Sequence, residues 1–169
     1  SGNLLLSGSN GSGGTVTLSG SLAPSSFTVS AASGTYTFSG ASGSDKISGN
    51  TGLTKSGAGT AAFTSANDFS GGTNITGGVV SIIGSGQLGS GAITVNGGQL
   101  TSTAGSALIL ANALTTGTAG GTVNTGDQNV SINGATTLNG VLTKSGNGTL
   151  SLGAVTTGTA GGLTVGAGN

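Results

Sequence analysis

The side chains best suited to acid–base or electrostatic chemistry are three aspartates and three lysines in a chain of 169 residues. They are Asp45, Asp68, Asp127, Lys46, Lys55 and Lys144. Asp45 and Asp68 stand 23 positions apart, and paired carboxylates of this kind carry general acid–base chemistry in carbohydrate-active enzymes. The chain offers no arginine and no third carboxylate near them, and a turn-forming role is sufficient for Asp68. We therefore predict no catalytic residue.

The residue types that are missing exclude several functional classes. The sequence contains no histidine, cysteine, methionine, tryptophan, arginine or glutamate. A Ser-His triad, a cysteine nucleophile, a structural zinc site and a disulfide framework are therefore excluded. Gly-Gly-x-Gly-x-Asp calcium repeats are also absent, so we predict no metal and no cofactor.

The charge balance and the length of the apolar runs limit the partners. Three lysines at a net charge of zero neutralise few phosphates, so we expect no nucleic-acid binding. No apolar run is longer than five residues, so we expect no membrane span and no signal peptide in this segment.

The composition resembles a flexible linker, but the order of the residues does not. Glycine, threonine, serine and asparagine number 38, 27, 25 and 13. The 37 leucine, isoleucine, valine and phenylalanine residues nevertheless fall into short β-branched runs separated by glycine, asparagine and serine. Many runs alternate polar and apolar residues, as half-buried strands do. We predict an all-β chain of roughly eighteen strands, and we consider the helix candidate at 107–114 doubtful.

Internal repeats favour a β-solenoid over a sandwich or a barrel, which would need a broader apolar core. Residues 53–60, Leu-Thr-Lys-Ser-Gly-Ala-Gly-Thr, recur at 142–149 with one substitution, at an offset of 89. Residues 115–121 recur unchanged at 156–162, at an offset of 41, and Gly71-Gly72 returns as Gly161-Gly162. We predict a right-handed parallel β-helix of roughly eight coils with 20–22 residues each, about 40 Å long. Equivalent turns would then stack on one face.

This architecture assigns roles to the remaining side chains. Asn-Gly pairs at 96–98, 133–134 and 139–140 form coil corners, and outward threonines and serines pair between coils. Lys55 and Lys144 are expected to point outward and to limit sheet association. The aromatic residues are expected in the core or at corners rather than in a sugar-stacking platform, and they are Phe27, Tyr36, Phe38, Phe63 and Phe69. Thr-x-Thr triplets at 15–17 and 35–37 are too few to predict an ice-binding face.

Residues 47–100 resemble the passenger-associated transport repeat, also called the autotransporter-associated β-strand repeat. The family pattern begins Leu-Thr-Lys-x-Gly-x-Gly-Thr, which corresponds to residues 53–60. Its Asn-Thr-Tyr-Ser-Gly-Gly block corresponds to 67–72, where Asp68 and Phe69 replace threonine and tyrosine. Its Leu-Gly-Ser-Gly block corresponds to 88–91. A degenerate second copy covers 141–169. Residues 1–46 share only the general composition of the repeat. The resemblance implies a right-handed parallel β-helix, export from a bacterial cell and a scaffold without catalytic residues.

We therefore interpret residues 1–169 as a single β-solenoid that is not an enzyme. The expected function is structural, in a fibre, sheath or autotransporter stalk at the bacterial cell surface, reached by export through the outer membrane. Its expected partners are other coils, by head-to-tail self-association or within a longer chain. An adhesin segment that binds glycans or cell surfaces is the alternative. A β-helix enzyme would require Asp45 and Asp68 side by side in a cleft.

Overall fold

The chain is described by a computed structural model covering residues 3–6 and 13–168, and the described residues form strands without any helix. Each turn of the chain passes through up to three short strands, which we assign to three walls. The first wall contains β1 (Asn3–Leu6), β4 (Ser26–Val29), β7 (Leu53–Lys55), β9 (Thr73–Ile75), β11 (Ile93–Val95), β14 (Leu114–Thr116), β17 (Thr136–Leu138) and β20 (Val155–Thr157). All neighbours in this wall pair in parallel.

The second wall is a parallel sheet of the same size. It contains β2 (Gly13–Leu18), β5 (Thr35–Gly40), β8 (Thr60–Phe63), β10 (Val79–Ile82), β12 (Gln99–Ser102), β15 (Gly121–Asn124), β18 (Val141–Ser145) and β21 (Gly162–Val165). The third wall is interrupted. It consists of the pair β3 (Ser21–Leu22) and β6 (Lys46–Ile47), and of β13 (Leu108–Leu110), β16 (Val130–Ile132) and β19 (Leu150–Leu152).

The register confirms the predicted β-solenoid and its coil length. In the first wall Leu53 pairs with Thr73, Thr73 with Ile93, Ile93 with Leu114, Leu114 with Thr136 and Thr136 with Val155. Successive numbers differ by 20, 20, 21, 22 and 19. The eight strands in each of the first two walls correspond to about seven complete turns, against the roughly eight coils predicted. The 107–114 segment contains β13 and the first residue of β14 instead of a helix, because alternate residues must face the core of a narrow coil.

One coil is longer than the others. Phe27 pairs with Leu53, a difference of 26 residues. The additional residues lie at the corner between β5 and β6, where Ser42, Gly43 and Ser44 are exposed. The carboxylate of Asp45 closes this corner by accepting hydrogen bonds from the Ser42 amide and hydroxyl, at 2.9 and 2.7 Å. The extension is therefore an ordered turn on the outside of the solenoid.

Inward residues from the walls form a continuous, narrow core. In the described coils nearest the amino terminus it is aromatic, since the rings of Phe27, Phe38 and Phe63 lie with centroids 4.9 to 6.1 Å apart. Phe69 is also buried and Tyr36 packs against the core. The predicted core placement of the aromatic residues is thus confirmed. Towards the carboxyl terminus, valine, leucine and isoleucine take over.

The outward centre of the first wall is a column of small polar side chains, which confirms the predicted pairing of threonines between coils. Each lies in register with the next and is followed along its own strand by an inward residue. The column consists of Thr28, Thr54, Asn74, Thr94, Thr115, Thr137 and Thr156.

The two sequence repeats behave differently in the solenoid. Thr115 and Thr156 lie two coils apart in the same column, so the shorter repeat stacks as predicted. The longer repeat does not. Leu53 begins a strand of the first wall, whereas Leu142 lies in β18 of the second wall. Four coils from Leu53 lead to Thr136, so the second copy starts six residues later and one wall further on. The prediction of a shared face is wrong for this pair.

The predicted Asn-Gly corners need glycine for two different reasons. Gly97 has φ of +101°, a left-handed conformation that glycine adopts at no steric cost. Gly134 has no such φ, but a Cβ there would lie 2.3 Å from the carbonyl oxygen of Asn112 in the preceding coil. Close stacking of the coils therefore requires glycine even where the backbone torsion does not.

Candidate functional site

The repeat block at 53–60 places a lysine inside the solenoid. Leu53, Thr54 and Lys55 alternate as buried, exposed and buried, and the Lys55 residue has 0% relative exposure. Its ammonium group donates hydrogen bonds to the carbonyl oxygens of Ser56, Gly57 and Gly77, at 2.7, 2.8 and 3.1 Å. The expectation that Lys55 points outward is therefore wrong. The period-two alternation that starts at Leu53 predicts the observed direction, and the charge of the side chain had outweighed it.

Lys144 repeats this arrangement on another wall. It lies in β18, in register with Val123 and Val165, and is 1% exposed, so the outward prediction is wrong here too. Its ammonium donates to the carbonyl oxygens of Ser145, Gly146 and Ala167, at 3.2, 2.6 and 2.5 Å. It also contacts the hydroxyl of Thr125 at 3.3 Å.

Backbone carbonyls, rather than carboxylates, compensate these two buried charges. Among the described residues the ion pair is Lys46 with Asp68, 2.5 Å apart at the surface. An ammonium group has three N–H donors, and each buried lysine meets three carbonyl oxygens. Burial nevertheless lowers the pKa of Lys55, because the carbonyls replace water only in part.

Asn67 joins three successive coils on the third side of the solenoid, where the wall has no regular strand. Its side-chain oxygen accepts from the amide of Ile47 at 2.8 Å, in the preceding coil. Its side-chain nitrogen donates to the carbonyl of Gln87 at 2.8 Å, in the following coil. Asn112 likewise donates to Gly89 and Gly91 of the coil before it, at 3.1 and 2.7 Å. Sequence reasoning treated the Asn67 segment as a turn and missed this bridging role.

The glycine pair that follows Asn67 allows the coils to approach closely. Gly72 has φ of +83°, and its carbonyl accepts from the amide of Leu53. A Cβ on Gly71 would lie 2.6 Å from the carbonyl oxygen of Asn50. Lys55, Asn67 and the glycine pair of the repeat therefore share one task, which is to hold neighbouring coils in contact.

The structure does not combine the aspartates into an acid–base pair. Asp68 is bound to Lys46, whereas Asp45 accepts from Ser42 and from the amide of Gly20 at 2.6 Å. The hydrogen bond from the Ser42 hydroxyl, followed by that from Gly20, lowers the pKa of Asp45. Asp127 accepts from the amide group of Asn147 at 2.8 Å. Nowhere in the described ranges do three aspartates come together as metal ligands would. The described residues also include no helix long and apolar enough to cross a membrane.

Two shallow grooves lie on the outside, and neither is lined by a charged residue. The first, of about 420 Å³, is flanked by Thr54, Asn74 and Thr94, and Gly71 and Gly72 also line it. The second, of about 380 Å³, lies beside β15 and β18 and includes Gly120, Thr122 and Thr143. Both are lined by glycine together with small polar and apolar residues, so they offer hydroxyl and backbone groups to a ligand but no acid or base.

The last described coil exposes side chains that are buried in earlier coils. Val155, Leu163 and Val165 are 50%, 53% and 51% exposed. Their register partners one coil earlier, Thr136, Leu142 and Lys144, are buried. Strands β20 and β21 also form the edges of their sheets. This end of the described solenoid therefore presents an apolar surface with unpaired strand edges.

Comparison with known proteins identifies one family within the chain. The model of the passenger-associated-transport-repeat family matches residues 53–82, which run from β7 to the end of β10 and contain Lys55, Asn67 and the glycine pair. The resemblance seen in the sequence is thus confirmed for this segment. No curated protein and no solved structure matches the chain.

Proposed function

We propose that this chain is a non-enzymatic structural solenoid of a bacterial surface protein, exported from the cell as part of a fibre, sheath or autotransporter stalk. The observation that carries the proposal is the passenger-repeat match at 53–82, in a segment where the buried side chains of Lys55 and Asn67 bind backbone carbonyls of the following coil. A uniform ladder of coils suits an extended spacer. On intact cells, an antibody raised against the folded chain should label the surface, whereas labelling only after permeabilisation would contradict export.

Stacking of coils is the proposed means of extension. A further coil placed on β20 and β21 would pair their edges and cover Val155, Leu163 and Val165. That coil belongs either to a longer chain or to a second copy. The absence of net charge favours such contacts, since little repulsion opposes them.

Light scattering and electron microscopy of the purified chain test whether a second copy of the chain stacks on this end. We expect linear assemblies that shorten in the Val165→Asp variant, because Val165 faces the proposed contact. Thr164→Asp is the matched control, since Thr164 lies in the same strand in register with the outward Thr143. A single-chain species at all concentrations and salt levels would contradict filament formation.

Glycan binding by an adhesin segment is the second candidate, and the grooves beside the first and second walls favour it. The hydroxyl, amide and backbone groups in their linings suit hydrogen bonds to sugar hydroxyls, and no charged residue lines either groove. A glycan array would test this function. Binding that is lost in Asn74→Ala and kept in Asn147→Ala, which lies outside these linings, would support it, and an array without hits would count against it.

The proposal also includes the absence of catalysis. Asp45, Asp68 and Asp127 each have a structural partner in the described residues. Screening against polysaccharides should detect no turnover. Turnover that disappears in both Asp45→Asn and Asp68→Asn would instead identify a carbohydrate-active enzyme.

A further inference from the structure

We propose that Lys55 and Lys144 act as coil locks. Each ammonium group binds a backbone carbonyl of the following coil, and this contact holds the following coil against the coil that contains the lysine. The inference concerns contacts inside the described solenoid and stands independently of the proposed surface function. It assigns a role to the repeated Leu-Thr-Lys-Ser-Gly block that neither the family match nor the fold class supplies.

The two lysines make the same set of contacts although they lie on different walls. Each binds the carbonyls of the next two residues, Ser56 and Gly57 for one lysine, Ser145 and Gly146 for the other. The third carbonyl comes from 22 or 23 residues further along the chain, which is one coil. Because the environments of the walls differ, the shared geometry originates in the sequence block itself.

The following coil is shaped to receive the ammonium group of Lys55. Gly78 has φ of +61°, and a Cβ there would lie 2.6 Å from the lysine nitrogen and 2.4 Å from the carbonyl oxygen of Gly57. Only glycine therefore permits the next coil to close over the ammonium. The carbonyls of Ser56 and Gly57, which follow Lys55 directly, hold the ammonium group in place, and Gly77 of the following coil provides the third carbonyl.

Electrostatics makes the contact stronger than an ordinary backbone bond. Hydrogen bonds with a charged partner are roughly twice as strong as neutral ones, and removing a buried donor leaves its acceptors unsatisfied. Strands β4, β5, β7, β9 and β10 and the turn at 56–59 contain no other lysine and no aspartate. No nearby carboxylate therefore replaces the carbonyls as partner of Lys55.

Hydrogen exchange measured for single amides tests the locks separately. The Thr76 amide donates to the backbone carbonyl of Lys55, and the Val79 amide donates to that of Gly59. Exchange of these two amides therefore reports on the coil that Lys55 holds. The amide of Gly166, which donates to Lys144, reports on the other lock. We expect Lys55→Met to accelerate exchange at Thr76 and Val79 about tenfold or more and to leave Gly166 unchanged. Lys144→Met should do the reverse, and Lys46→Met should affect neither set.

A second measurement separates the cation from the packing of its alkyl chain. In Lys55→Ala the three carbonyl oxygens lose their donor. Ammonium chloride should then slow hydrogen exchange at Thr76 and Val79, because the ammonium ion can donate to these carbonyls. Tetramethylammonium chloride, which has no N–H group, should not. Equal acceleration at all reporters, unchanged exchange in both methionine variants, or no difference between the two salts would each overturn the proposal. If Lys55→Met does not fold, Lys144→Met and its own reporter decide the outcome, because that lysine holds only the last described coil.

Discussion

At the scale of the residue, the solenoid shows how a thin core uses polar groups. Lys55 and Lys144 are buried, and so are Thr116 and Thr125, whose hydroxyls donate to the carbonyls of Gly140 and Ser145. A coil with few inward positions has little room for large apolar side chains, so the carbonyls and hydroxyls of its corners lie close to the interior. Polar side chains that bind these carbonyls are therefore retained where a broader core would exclude them.

Thr136 provides a prediction about stability. Its hydroxyl is buried without a hydrogen-bond partner among the described residues, and its register neighbours are Leu114 and Val155. Thr136→Val replaces that hydroxyl by a methyl group of similar shape, so we expect the free energy of unfolding to rise by about 1 kcal/mol. Chemical denaturation measures the change. Thr137→Val, on the outward column, is the control and should have little effect, and a destabilised Thr136→Val would contradict the prediction.

The pH dependence of Lys55 is a second prediction at this scale. Burial lowers its pKa below the ordinary 10.5, so at alkaline pH the unfolded state holds more protons than the folded state. Stability therefore rises with pH between the folded pKa and 10.5. Denaturation curves recorded from pH 7 upwards should show this gain in the wild type and not in Lys55→Met. A gain of equal size in the variant would assign it to another group.

At the scale of the element, periodicity and turn residues predicted most of the architecture. Short β-branched runs separated by glycine and asparagine predicted the strands, and the repeat at 115–121 predicted both the coil length and its register. The inward direction of Lys55 and Lys144 was not predicted, because their charge was given more weight than the period-two alternation, and because one of the carbonyls that bind each ammonium lies one coil away. The bridging role of Asn67 was not predicted either, because both of its partners lie 20 residues away along the chain.

Contact between coils predicts unequal effects of glycine substitutions. A Cβ at Gly134 would overlap backbone atoms of Asn112 and Ala113, whereas a Cβ at Gly105 would meet nothing within 4 Å. We expect Gly134→Ala to lower the free energy of unfolding by about 1–3 kcal/mol, the usual range for overpacking. Gly105→Ala should be neutral or slightly stabilising. Similar melting temperatures for both variants would contradict this role of the Gly134 corner.

At the scale of the whole molecule, the burial of basic residues predicts resistance to trypsin. The chain has no arginine, and Lys55 and Lys144 are inaccessible within their coils. Lys46 is the remaining site, and its side chain is 30% exposed. Digestion of the folded protein, followed by mass spectrometry, should therefore yield cleavage after residue 46 first, or none. Early cleavage after residues 55 or 144 would show that these coils open readily.

The displacement of the 142–149 block from the first wall to the second concerns the molecule as a whole. The repeat of the sequence and the repeat of the coil have different lengths, so the two are out of phase. The two copies of the block therefore face different sides of the solenoid. Residues attached to the two copies would be displayed on different sides, while the threonine column stays in register on one wall.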